Sequence, residues 1–219
     1  RKELSIVVPF CSQNTDILRN LQIIKTFARK LGLSYEIIAV DDSHSNSTRD
    51  AFAKNSGAKV MYNRSGKGKG NAVRQGVLAS ESSIVCFLDA DLTIGPDHLE
   101  PFIAVIQDRV DIAIASRYAP GTEYRYPVPW LRKMTGSTFR SLRLAVAGMP
   151  HIQDTQCGFK VFKGDVARKI FSMSRVDGFC FDVEILYLGC KLNCKIRELP
   201  IILNNSPKDI LNQIKLFQN

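Results

Sequence analysis

Two aspartates, Asp89 and Asp91, stand two residues apart directly after the apolar run at 84–88. Two carboxylates so spaced on a turn can reach one divalent cation. Hard oxygen ligands suit Mg²⁺ or Mn²⁺, ions that are usually shared with substrate phosphates. Asp41, Asp42 and Ser43 follow another apolar run in the same way. Carboxylates there can accept hydrogen bonds from a base N–H or from ribose hydroxyls. The stretch Gly66-Lys67-Gly68-Lys69-Gly70 precedes a helical pattern. It is neither the G-x-G-x-x-G dinucleotide fingerprint nor a P-loop, since the glycine and Lys-Ser/Thr spacings are wrong. What remains is a flexible, positive loop at a helix N-terminus, suited to a diphosphate. Each feature also has a plain reading: turn-forming aspartates and a solvated loop. No nucleophile elbow occurs, and His44, His98 and His151 lack partners in any recognisable triad.

The elements that must carry these groups alternate. Apolar strand patterns at 4–8, 35–40, 59–62, 84–88 and 111–115 are separated by helical periodicity. The first helix has apolar residues at Ile17, Leu21 and Ile24, with Asn14 or Thr15 as its cap and Gly32 as its end. Helices are predicted at 71–79, from Pro96 onward and at 181–192, with later strands at 159–162 and 196–202. Near-continuous apolar strands in β-α-β order predict a mostly parallel sheet covered on both faces. Ligands of such sheets bind at the carboxyl ends of the strands, where the polar clusters collect.

The 219 residues suit one domain, and 45% hydrophobic with 23% charged composition excludes a disordered or fibrous chain. The net charge of +9 admits nucleic acid, an anionic membrane or phosphorylated substrates. No RNP, KH or zinc-finger pattern supports the first, so a nucleic-acid-binding module is a distant alternative. Residues 124–153 hold five basic side chains, including Arg132 and Lys133, and no acidic one. Trp130, Leu131, Met134 and Phe139 are interleaved with them. That pattern suits an interfacial helix on an anionic membrane, or a core helix with a basic face. No transmembrane run is present, and the start at Arg1 gives the chain a trimmed look. The six cysteines form no C-x-x-C pair and are expected to be reduced and mostly buried, with no zinc site.

In order, Ser5-Ile6-Val7-Val8-Pro9-Phe10, Val40-Asp41-Asp42-Ser43, Gly68-Lys69-Gly70-Asn71-Ala72, Leu88-Asp89-Ala90-Asp91-Leu92 and Ser116-Arg117-Tyr118 resemble the family 2 glycosyltransferases. The heptapeptide Asp154-Thr155-Gln156-Cys157-Gly158-Phe159-Lys160 and the run Phe179-Cys180-Phe181-Asp182-Val183-Glu184 are similar to the polyprenyl-phosphate branch, and most of all to its dolichyl-phosphate β-glucosyltransferases. The resemblance covers roughly residues 4–203. It implies a GT-A, Rossmann-like three-layer α/β fold over 1–203, with 124–153 facing acceptor and membrane and 204–219 a tail or interfacial helix.

It further implies an inverting, metal-dependent transfer of a hexose from a nucleotide diphosphate sugar to a polyprenyl or dolichyl phosphate. Glucose from UDP-glucose is favoured. GDP-mannose-dependent transfer and transfer to a sugar hydroxyl are the alternatives. By this resemblance Pro9, Phe10, Asp41, Asp42, Lys69, Arg74 and Asp89 bind the nucleotide sugar. Asp89 and Asp91 hold Mg²⁺ or Mn²⁺. Arg117, Arg132 and Lys133 hold the acceptor phosphate. Asp91, Arg117, Asp154 and Asp182 are the catalytic set, the last two expected to position sugar hydroxyls or basic residues. The work site implied is the cytoplasmic face of a membrane, endoplasmic reticulum or plasma membrane. The sequence departs from the family at Thr93, where mannosyl relatives carry a third metal ligand, and at Lys208, which stands near the position of a phosphate-binding residue.

Overall fold

The run Leu-Ser-Ile-Val-Val-Pro-Phe forms strand β1 (Leu4–Phe10), and every residue in it is buried. Its side chains alternate between two apolar clusters. Leu4, Ile6, Val8 and Phe10 enter one, and Val7 the other. A strand apolar on both faces requires cover on both faces. The computed structural model describes residues 2–11, 16–43, 56–63, 68–125, 149 and 151–203.

Helix α1 (Ile17–Lys30) buries Ile17, Leu21, Ile24 and Ala28 at helical spacing. Its N-cap is Asp16, with no side-chain capping bond, rather than Asn14 or Thr15, which lie outside the described residues. Gly32 follows its end at φ 67°, as predicted for a helix stop. Strands β2 (Tyr35–Asp41), β3 (Lys59–Tyr62), β4 (Ile84–Leu88) and β5 (Ile112–Ala115) occupy the predicted runs. Helix α2 (Lys69–Leu78) begins two residues before its predicted start, immediately after Gly68. A 3₁₀ turn at Pro96–His98 leads into α3 (Leu99–Gln107). Strand β6 (Glu123–Tyr124) follows, then β7 (Phe159–Lys163), α4 (Gly164–Met173), α5 (Phe181–Lys191) and β8 (Ile196–Leu199). The strand predicted over 196–202 is broken at Pro200. β8 stays in the main sheet, while β9 (Ile202–Leu203) pairs with β6 in a separate two-stranded sheet. Proline cannot donate to a ladder, so a strand interior breaks there.

The main sheet has seven strands in the order β3-β2-β1-β4-β7-β5-β8. All its pairings are parallel except those of β7, which runs antiparallel to both β4 and β5. One face packs against α1 and α3, the other against α2, α4 and α5. The layers are therefore helix, sheet, helix, as the sequence predicts. The reversal of β7 has a direct consequence. The parallel strands send their carboxyl ends to one rim, and β7 sends its amino end to that same rim.

The cysteine expectation needs correction. All six thiols are free, but only Cys86 and Cys157 are buried. Cys11 and Cys180 are exposed because they occupy the loop after β1 and the start of α5. Among the described residues no helix is long and apolar enough to cross a membrane.

Candidate active site

The rim gathers five segments. Pro9 and Phe10 end β1, and Asp41 ends β2 with Asp42 beside it. The Asp89–Asp91 turn leaves β4, Arg117 leaves β5, and residues 154–158 lead into β7. Pro9 is tolerated because the pairing of β1 to β4 has already stopped at Val7.

At the β2 end, Asp41 accepts the Ser43 N–H at 2.9 Å, closing a local turn. Asp42 accepts from Asn63 Nδ2 at 2.6 Å. Gln75 Nε2 joins Asn63 and Asn71 at 2.7 Å each. The polar residue at the end of β3 thus fixes the orientation of Asp42. Asn63 was not singled out from sequence, although β2 and β3 pair in register at Asp41 and Tyr62.

At the centre, Lys69 Nζ lies 2.6 Å from Asp89 Oδ1. Burial alone would lower the Lys69 ammonium, but the charges of Asp89, Asp182 and Asp91 hold it above its usual range. Asp91 accepts the Thr93 N–H at 3.0 Å. Desolvation and then the charge of Asp89 push the Asp91 carboxyl up. Asp89 also rests on residue 158. Its N–H donates to the Gly158 carbonyl at 3.0 Å. A Cβ on Gly158 would lie 2.0 Å from Asp89 Oδ2, so only glycine leaves room for that carboxylate.

These residues fit a divalent cation. The donors are two carboxylates, and the buried Asp89 Oδ1 already faces a cation, the Lys69 ammonium at 2.6 Å. Among the described residues two further buried oxygens have no hydrogen-bond partner, Ser43 Oγ after β2 and Thr155 Oγ1 before β7, on the same rim with β1 and β4 between them.

At the far end, Arg117 meets Asp154 through Nε and a terminal nitrogen, both at 2.7 Å, and through its backbone N–H at 2.9 Å. Asp154 is fully buried. Burial would raise it, but Arg117 outweighs that and holds the carboxyl below its ordinary value. The Arg117 guanidinium is held above its ordinary value by the same pairing, again against burial. Glu198 accepts the backbone N–H groups of Gln153 and Asp154 at 2.9 and 2.8 Å. Tyr124 donates to the Arg117 carbonyl at 3.1 Å. Arg117 is thus a pre-set cation, with 37% of its side chain still open to solvent. Arg-carboxylate forks of this kind hold their geometry well.

Two predicted site residues have protein partners of their own, although Asp182 remains near enough to act on the charge of Lys69. Arg74 donates to Ser174 Oγ, the Val176 carbonyl and Asp177 Oδ1, clamping residues 174–177 to α2. Asp182 is buried and accepts Lys160 Nζ at 2.5 Å. Arg132, Lys133 and Lys208 lie outside the described residues.

The glycosyl transferase family 2 profile matches residues 5–171, and the chain belongs to that family. A dolichyl-phosphate beta-glucosyltransferase of Dictyostelium discoideum is 32% identical, over 90% of this chain and 65% of its own length. The Saccharomyces cerevisiae protein of that name is 31% identical, over 90% and 66%. A Trichomonas vaginalis protein so named is 31% identical, over 84% and 58%. The chain thus spans less than two thirds of the length of these relatives. Among solved structures, glucosyl-3-phosphoglycerate synthase from Mycobacterium tuberculosis, bound to Mn²⁺, UDP and glucosyl-3-phosphoglycerate, superposes with a TM-score of 0.66. It is 19% identical and covers 96% of this chain and 75% of its own, which establishes a shared GT-A fold.

Proposed function

We propose that this family 2 glycosyltransferase moves a glucosyl group from UDP-glucose to a dolichyl or related polyprenyl phosphate, with inversion, at the cytoplasmic face of a membrane. The observation that carries the reading is the juxtaposition on one rim of a two-carboxylate turn, Lys69 and the pre-set Arg117. Two anionic substrates need that arrangement of charge. The names of the relatives favour glucose and dolichyl phosphate.

The geometry supports the following division of labour. Asp42, steadied by Asn63, and the end of β1 receive the nucleoside. Lys69 lies where it can turn from Asp89 to the diphosphate. Asp89 and Asp91 are the residues that hold the metal; when bound, Mg²⁺ or Mn²⁺ neutralises charge on the leaving diphosphate. Arg117 orients the acceptor phosphate, whose second pKa of about 6 leaves it largely anionic near neutral pH. The nucleophile therefore needs no strong general base, and Asp154 is committed to Arg117 rather than to proton abstraction. Holding both reactants in line supplies much of the rate. The basic, aromatic stretch at 124–153 supplies membrane contact in this reading.

The test is a panel of UDP-glucose, GDP-mannose and UDP-N-acetylglucosamine, each with polyprenyl phosphate and Mg²⁺ or Mn²⁺. Glucosyl transfer from UDP-glucose alone is expected. Preferential mannosyl transfer would replace the donor assignment, and transfer only to free sugars would replace the acceptor.

A further inference from the structure

Lys160 is the second residue of β7, a strand between β4 and β5, and has no solvent exposure. A lysine in a central strand is costly to bury, and a buried ion pair is weak evidence for stability, since apolar residues of similar volume often do as well. Its contacts are specific. Nζ donates to Asp182 Oδ1 at 2.5 Å and to the Cys157 carbonyl at 2.7 Å, and it lies 5.2 Å from the centre of the Phe87 ring. Phe87 is in β4, two residues before Asp89. The Cys157 carbonyl belongs to the peptide joining Cys157 to Gly158, the residue against which Asp89 is seated.

We propose that Lys160 is a positioning residue for the metal-binding carboxylate: it tethers the 157–158 peptide that seats Asp89, and Asp182 is its buried counter-ion. The inference rests on the reading of Asp89 as a metal ligand. It assigns Asp182 to the support of that ligand and not to substrate. The connection runs through contacts of 2.7 Å at the Cys157 carbonyl and 3.0 Å from Asp89 N–H to the Gly158 carbonyl. Groups that hold a metal ligand in place commonly set metal affinity, and here Lys160 does so through the peptide between Cys157 and Gly158.

The experiment titrates Mn²⁺ into the UDP complex of the protein and measures metal-dependent turnover and thermal unfolding alongside. Three variants are compared: Lys160→Met, Asp182→Asn, and the two combined. The double variant carries neither buried charge and keeps the comparison usable if Lys160→Met does not fold. Asp182→Asn keeps the bond to the Cys157 carbonyl and should bind Mn²⁺ within about threefold of wild type. The double variant should fold yet bind Mn²⁺ about 10- to 100-fold more weakly. Its KM for metal should rise, and kcat should largely recover at saturating metal. A folded double variant with wild-type Mn²⁺ affinity would overturn the proposal. Wild-type protein that binds no Mn²⁺ with UDP would instead overturn the metal assignment of Asp89, and the proposal with it.

Discussion

Replacing Gly158 by alanine adds one methyl group at a point where the structure has no space for it. The new Cβ would lie 2.0 Å from Asp89 Oδ2, 2.4 Å from Cγ and 2.9 Å from Oδ1. Ordinary carbon–oxygen contacts begin well beyond 3 Å, so the carboxylate must retreat by roughly 1 Å. Gly158 is not in the left-handed region, so alanine brings no backbone penalty there. The whole effect should fall on Asp89. A misplacement of about 1 Å in a reacting constellation can cost about 100-fold in rate, equivalent to about 2.7 kcal/mol. The assay is glucosyl transfer with Mn²⁺ titrated at fixed UDP-glucose, with thermal unfolding as a control. Gly158→Ala should lose at least tenfold in metal affinity or kcat while remaining folded. The same substitution in an Asp89→Ala background should lose little further stability, because the clashing carboxylate is gone. Wild-type turnover and metal affinity in Gly158→Ala would refute the reasoning.

Asp91→Ala should abolish metal-dependent turnover, and chelation of wild type should do the same reversibly on readdition of Mg²⁺ or Mn²⁺. Full activity in either case would remove the metal assignment. Lys69→Met should weaken UDP binding at least tenfold while Mn²⁺ binding without nucleotide is kept or strengthened, since the ammonium no longer competes for Asp89 Oδ1; calorimetry of each ligand separately decides this. Because Asp154 is held below its ordinary value, its pairing stabilises the fold fully above the unfolded pKa of about 3.9 and is lost as pH falls through the lower folded value. Asp154→Asn should therefore flatten the acid limb of stability below about pH 4, and an unchanged slope would contradict the pairing. Trp130→Ser with Leu131→Ser should weaken liposome sedimentation and spare UDP binding, and unchanged partitioning would exclude a membrane role for that stretch.

The alternation of apolar runs made the layers and most strands readable, because buried parallel strands are nearly continuous in hydrophobic residues. The aspartate clusters were readable for the same reason: carboxylates that follow such strands must collect on one rim. The direction of β7 was not readable. Phe159–Lys163 carries the same pattern whichever way it runs, and only pairing partners decide. Without that direction, Asp154 and Arg117 could not be joined as a fork. Lys160 was hidden by its own type, since lysine in a strand is ordinarily surface-directed. Arg74 matched a nucleotide-binding position by motif, yet its donors go to residues 174–177, contacts some hundred residues distant in the chain.

The reversal of β7 also bears on how the chain could be rebuilt. Ile114 in β5 pairs with Lys160 in β7, so the excursion from 116 to 158 leaves and re-enters the sheet at adjacent strands. Its two ends are held about one strand spacing apart, roughly 5 Å, whatever lies between them. That makes the excursion a cassette in the engineering sense. Arg117, Asp154 and the Gly158 seat of Asp89 must be kept in any such exchange, so only the residues between 117 and 154 are open to a change of length or polarity that spares the register of the sheet.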